Sequence, residues 1–182
     1  MTSPSPVASA DLATLRAAAA AAGLTVLSCA SWPETDADGE VPALAGFIES
    51  TFSPLIAEVA KRALHRRDQP RASGMSSTAI VMVTNRGDVT SAVRVATAVD
   101  AGERVSPLQF FQSVPNAVAG YVAARWQLTG PVVCVSGTSA AMTIAAHLIE
   151  DADAHDVLIV RVELAVTEGG ESDLAAAVLV TC

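Results

Sequence analysis

Two kinds of apolar segment alternate along this chain. In some stretches apolar positions recur every three or four residues, and in others a short run is apolar almost throughout. The clearest helical stretch is 54–67, where Leu55, Val59 and Ala63, with Ile56, Ala60 and Leu64, give one inward stripe. Ser53 ahead of Pro54 supplies its start, a capping hydroxyl with proline at the first helical position. Asp11 is read as the cap of a helix over 12–22 that Gly23 closes. Asp88 caps a helix over 89–99, stopped by Gly102, and Pro115 opens one that runs to 126. A last helix is expected over 139–149.

The continuous apolar runs read as strands over 24–32, 78–84, 132–135, 156–165 and 174–181. TAIVMV, PVVCV and DVLIVRV have almost no polar position, as strands buried on both faces require. The turn holding Glu168, Gly169, Gly170 and Glu171 makes the last two strands a hairpin, expected at the end of the sheet. Residues 34–40 form an acidic, solvated loop, 43–50 a short helix or irregular connection, and the segment up to Ser113 a loop containing Pro107, Phe110 and Phe111. Strands alternating with helices give an α/β layered fold, a mostly parallel mixed sheet with helices on both faces. It forms a single domain over 11–182 behind a flexible tail, 1–10.

Composition sharpens this picture. Of 182 residues, 51% are hydrophobic and 16% charged, with a mean hydropathy of +0.43. No run approaches the roughly 18 to 20 apolar residues of a membrane span, so the surplus points to a large buried interface with a partner protein. A net charge of −8 disfavours nucleic acid as that partner. Cys29, Cys134 and Cys182 lack zinc spacing, and the first two, inside strand-like runs, are read as buried reduced thiols. The N-terminus has no basic region or continuous apolar core of a secretion signal, and a cytoplasmic location is the expectation.

The candidate chemistry lies in 106–150, which reads as loop, helix, tight turn, strand, sharp bend and helix. A strand that turns directly into a helix can hold a side chain over a pocket at the helix N-terminus. That residue is Ser139, or a neighbour within 136–140. A serine there needs a strong adjacent base. His65, His147 and His155 sit on or beside helices with no motif around them. Ser139 therefore has two readings, a nucleophile or a helix cap filling a lost active site. Asp36, Asp38 and Glu40 read as a solvated loop, and neither a phosphate-binding glycine loop nor a metal site is expected.

The run from Ser106 to Ala165 resembles β-ketoacyl synthases of the thiolase fold. The features that carry the likeness are a Pro-aromatic segment, the Asn116-Ala117-Val118-Ala119-Gly120 helix start, the Gly130-Pro131 turn, the bend, an alanine-rich helix and a strand ending near Glu163. The resemblance covers about half the chain well. In a working ketosynthase the bend carries a cysteine; aligned from Gly130-Pro131 that position is Ser139, while Cys134 falls five residues earlier. Such enzymes also take two histidines from a second half of the fold, and this chain matches only the first half.

A ketosynthase-like chain without the nucleophilic cysteine looks like a chain length factor of type II polyketide or aryl polyene-type systems. The resemblance implies a non-catalytic subunit that pairs with an active β-ketoacyl synthase, shapes its acyl tunnel and meets acyl carrier protein only indirectly. It needs no cofactor. Tunnel or interface candidates are Phe110, Phe111, Gln112, Val114, Asn116 and Met142. The basic run from Lys61 to Arg71 either offsets a helix dipole or offers carrier-protein docking through Arg62, Arg66 and Arg67. The alternatives are a small acyltransferase or hydrolase using Ser139, and a purely structural subunit of a ketosynthase complex.

Overall fold

The computed structural model describes residues 6–35, 37–67, 77–165 and 173–182. In chain order the elements are α1 (Pro6–Ala21), β1 (Thr25–Trp32), α2 (Phe52–His65), β2 (Thr78–Val83), α3 (Val89–Asp100), α4 (Pro107–Gln112), α5 (Pro115–Trp126), β3 (Val132–Val135), α6 (Thr138–Glu150), β4 (Asp156–Glu163) and β5 (Leu174–Thr181).

The five strands form one mixed sheet in the order β1-β5-β4-β2-β3. β2 pairs in parallel with both β3 and β4, whereas β5 runs antiparallel to both β4 and β1. The expected hairpin is therefore present, but it lies inside the sheet, because β1 adds beyond it. Its turn lies outside the described residues. The two faces are separated by the alternation of side chains along each strand. Ile80, Met82, Leu158, Val160, Ala177 and Leu179 pack under α2 and α5. Ala79, Val81, Val83, Val157, Ile159 and Val178 pack under α1 and α6. β2 is buried at every position, as its unbroken apolar run requires.

The α2 stripe packs as its spacing dictates, with Leu55, Ile56, Val59, Ala60 and Ala63 at or near zero exposure. Each large aliphatic side chain among them contributes on the order of 1.5–3 kcal/mol. Gly130 sits where strand ends converge: a Cβ there would meet the Ala79 nitrogen and the Thr78 carbonyl carbon at 2.6 Å.

Five local expectations change. α1 starts at Pro6, so Asp11 lies inside the helix, 3.5 Å from the Arg161 guanidinium, and does not cap it. Residues 6–10 of the expected tail are helical, and 1–5 lie outside the described residues. α2 starts one residue before Ser53, which is buried; the nearby hydroxyls make tertiary bonds, Ser50 to Asp88 at 2.6 Å and Thr51 to Asp173. The expected loop around Phe110 is instead the helix α4. Its start is a capping box in which the Ser106 hydroxyl accepts from the Gln109 amide and the Gln109 side chain accepts from the Ser106 amide. β3 is an edge strand with alternate residues exposed, not a strand buried on both faces.

Candidate functional site

The bend after β3 is built by Gly137, whose φ of +93° lets the chain turn into α6. Gly137 is the residue before the helix, Thr138 the first helical residue and Ser139 the second, so Ser139 is not the cap expected for it. Ser139 is exposed, and its carbonyl accepts from the Thr143 hydroxyl at 3.2 Å. No hydrogen bond joins its own hydroxyl to any described residue, and none of the three histidines reaches it. His65 stands edge-on to Trp126, His147 lies 3.8 Å from Glu150, and His155 lies 3.6 Å from Asp156. A serine hydroxyl without a base is a poor nucleophile.

Cys134, expected to be buried, is exposed, because β3 lies at the sheet edge. Partial desolvation pushes its thiol pKa up, away from the thiolate form that a nucleophile needs. All three cysteines are free, and Cys29 is half-buried.

The most unusual surface is the arm formed by α3 and α4. Of the twelve residues of α3 only Ser91 is buried, and of α4 only Gln112. Meanwhile Val93, Val99, Leu108, Phe110 and Phe111 are largely exposed, and Val114 follows at the start of α5. The arm is anchored by polar contacts: Asp88 accepts from the Ser91 amide at 3.0 Å, the Ser91 hydroxyl at 2.7 Å and the Ser50 hydroxyl. Phe111 also touches Phe47, ring centroids 6.4 Å apart. Of the tunnel or interface candidates, Phe110, Phe111, Val114 and Asn116 are at the surface. Gln112 and Met142 are turned inward; Met142 packs with Ala141 and Ala145 between α6 and the sheet.

The basic cluster is not the free face expected of a docking site. Arg62 places its two terminal nitrogens 2.9 and 2.7 Å from the Asp38 oxygens, and its Nε 2.9 Å from Glu58. It also stacks over Trp32, 4.5 Å from the ring centre. Arg66 forks onto Glu34 at 2.5 and 2.6 Å, and Arg67 lies 2.7 Å from the fully buried Asp156. Hydrogen bonding from Arg62 holds the Asp38 carboxyl well below the usual carboxylate range, assisted by the Glu34 and Thr35 amides. The acidic loop is thus folded onto α2 through Glu34 and Asp38 and is not a solvated segment; Asp36 lies outside the described residues. Opposite charges 24 to 32 residues apart gave no sequence signal for this pairing.

At the C-terminal ends of β2 and β4, Glu163 accepts from the Asn85 amide at 3.0 Å and from its side chain at 2.9 Å, tying the two strand ends together. The described residues contain no group of three His, Cys, Asp or Glu able to hold a metal ion, and no helix long and apolar enough to cross a membrane.

The family model for the β-ketoacyl synthase N-terminal domain matches residues 29–169. No curated protein matches the chain. Among solved structures, the ketosynthase ApeO in complex with its chain length factor ApeC, from Xenorhabdus doucetiae, is similar at a TM-score of 0.61 and 16% identity, over 79% of this chain and 63% of that one. The ishigamide ketosynthase/chain length factor gives a TM-score of 0.65 and 18% identity, over 96% of this chain and 57% of that one. A β-ketoacyl synthase from Burkholderia phymatum STM815 gives 0.59 and 14%, over 91% of this chain and 54% of that one. This chain therefore spans between about half and three-fifths of the length of these solved chains, and at such identities the likeness is one of fold.

Proposed function

Because the chain belongs to the β-ketoacyl synthase N-terminal-domain family, we propose that it is a ketosynthase-like subunit without chemistry of its own. In this reading it pairs with an active β-ketoacyl synthase and shapes that enzyme's acyl tunnel in polyketide or polyene synthesis. The observation that carries the reading is the α3–α4 arm, which leaves Val93, Val99, Leu108, Phe110 and Phe111 largely exposed while burying almost nothing in its own chain. Apolar surface of that kind belongs against another protein. The edge strand β3, with Val132 and Cys134 exposed, adds unpaired backbone that a second sheet can meet.

Catalytic silence is supported at the bend. Among the described residues Ser139 has no base beside it, and Cys134 lies on the strand with its thiol pKa pushed up. Two of the similar structures are ketosynthases with their chain length factors, and that pairing is what we carry to this chain. Within such a pair, bulky residues at the tunnel end limit the acyl chain sterically, since each misfit costs about 1 to 3 kcal/mol. Phe110 and Phe111 are the residues we assign that role. Arg62, Arg66 and Arg67 are committed to internal ion pairs, so carrier-protein docking falls to the partner.

The test is co-expression with a β-ketoacyl synthase from the same genome, followed by size-exclusion chromatography and an elongation assay. Co-elution with chain elongation only when both are present is expected. A chain that runs alone and turns over an acyl thioester in a Ser139-dependent way would instead make it an acyltransferase or hydrolase. Stable co-elution with product length unmoved by substitutions at Phe110 and Phe111 would reduce it to a scaffold.

A further inference from the structure

A half-open cleft of about 300 Å3 lies between one face of α2 and the C-terminal half of α5, closed at one end by residues 42–44. Its Tyr121 wall stands 6.2 Å from the Phe47 ring, which also meets Phe111 of α4, so the cleft borders the arm without including it. Leu44 and Ala57 contribute apolar floor, and Tyr121 and Trp126 are aromatic walls. The rim carries the cations Lys61 and Arg125, with His65 beside them, against a single carboxylate, Glu58.

The charge balance there runs against the rest of the chain, which carries −8 overall. Glu58 is spent: one oxygen accepts from Lys61 at 2.8 Å and the other from Arg62 at 2.9 Å. Arg125 is exposed, sits 5.8 Å from the Trp126 ring centre, and has no carboxylate partner among the described residues. His65 stands edge-on to the same indole at 4.8 Å. Part of this cation set answers the two helix C-termini, whose carbonyls favour positive charge. That role needs neither an aromatic wall nor a cavity of ligand size, at the lower end of small-molecule sites.

We propose that this cleft binds a small amphipathic organic anion, an aryl or similarly flat apolar group with a carboxylate- or phosphate-type head. The flat group lies against Trp126 and Tyr121, and the head meets Arg125 and Lys61. This assignment does not depend on pairing with a ketosynthase, and its test can fail while that reading stands.

The experiment is isothermal titration of the full chain with 1-naphthyl phosphate, with inorganic phosphate and neutral 1-naphthylmethanol as partial probes. Saturable one-to-one binding of naphthyl phosphate is expected, with each partial probe at least tenfold weaker. Arg125→Glu should weaken it at least tenfold and Arg125→Lys by less than about threefold. Both substitutions fall at an exposed position, and an unchanged melting temperature checks the fold. Absence of saturable binding, binding indifferent to Arg125→Glu, or inorganic phosphate binding as tightly as the aryl phosphate would each overturn the proposal.

Discussion

Phe110→Ala separates the two things a surface phenylalanine can do. The ring is 62% exposed. A phenylalanine side chain offers about 200 Å2 of surface, so about 120 Å2 of Phe110 is available to a partner. At about 25 cal/mol per Å2 that area is worth about 3 kcal/mol if fully covered, and alanine retains part of it. Truncation should therefore weaken assembly with the partner ketosynthase by about 2 kcal/mol, or about 30-fold in Kd. The chain's own stability should change by less than about 0.5 kcal/mol, because little of the ring is packed at home. Phe111 is the internal comparison: its contact with Phe47 means that alanine there should also lower the melting temperature. The assay is titration of labelled chain with the ketosynthase, beside thermal unfolding of each variant. A Kd within threefold of the parent for Phe110→Ala would refute the docking role of the arm. So would loss of binding that merely follows loss of fold.

The other expectations follow from single contacts. Asp38→Ala removes a bidentate arginine partner and the carboxylate that accepts from the Glu34 and Thr35 amides, and should cost about 2 kcal/mol, seen as a melting point several degrees lower at pH 7. Because the folded carboxyl of Asp38 is held below its ordinary value, its contribution is full above the unfolded pKa of about 4 and is lost as pH falls below that; acid unfolding of Asp38→Ala should show a shallower loss of stability there, and an identical profile would mean the loop is solvated after all. Gly130→Ala sets a Cβ against backbone that cannot yield, so destabilisation of at least about 2 kcal/mol is expected by denaturant unfolding. Ser139→Ala should leave both assembly and product formation unchanged, and a large fall in product would restore a catalytic reading.

The sequence by itself determined what local physics can carry. Apolar runs of strand length, the α2 stripe, the Asp88 cap and the Pro115 start all survive in place, because burial pattern and capping depend on residues a few positions apart. The α4 helix was equally legible from the Ser106–Gln109 capping box, although the paired phenylalanines and proline suggested a loop. The bend could be located from the Gly137 neighbourhood, and Ser139 with it, but its place inside the helix depended on which residue took the positive φ. Three other matters depended on strand order and distant pairing, which no local pattern encodes. PVVCV reads as a buried strand, yet β3 lies at the edge and exposes Cys134, because β2 meets β4 on its other side. The arginines of α2 look free until the chain returns Glu34 and Asp38 to them across 24 to 32 residues. The arm reads as a helix over 89–99 followed by a loop, and only the tertiary structure leaves its apolar residues uncovered, since the sheet is already roofed by α2 and α5 on one face and α1 and α6 on the other.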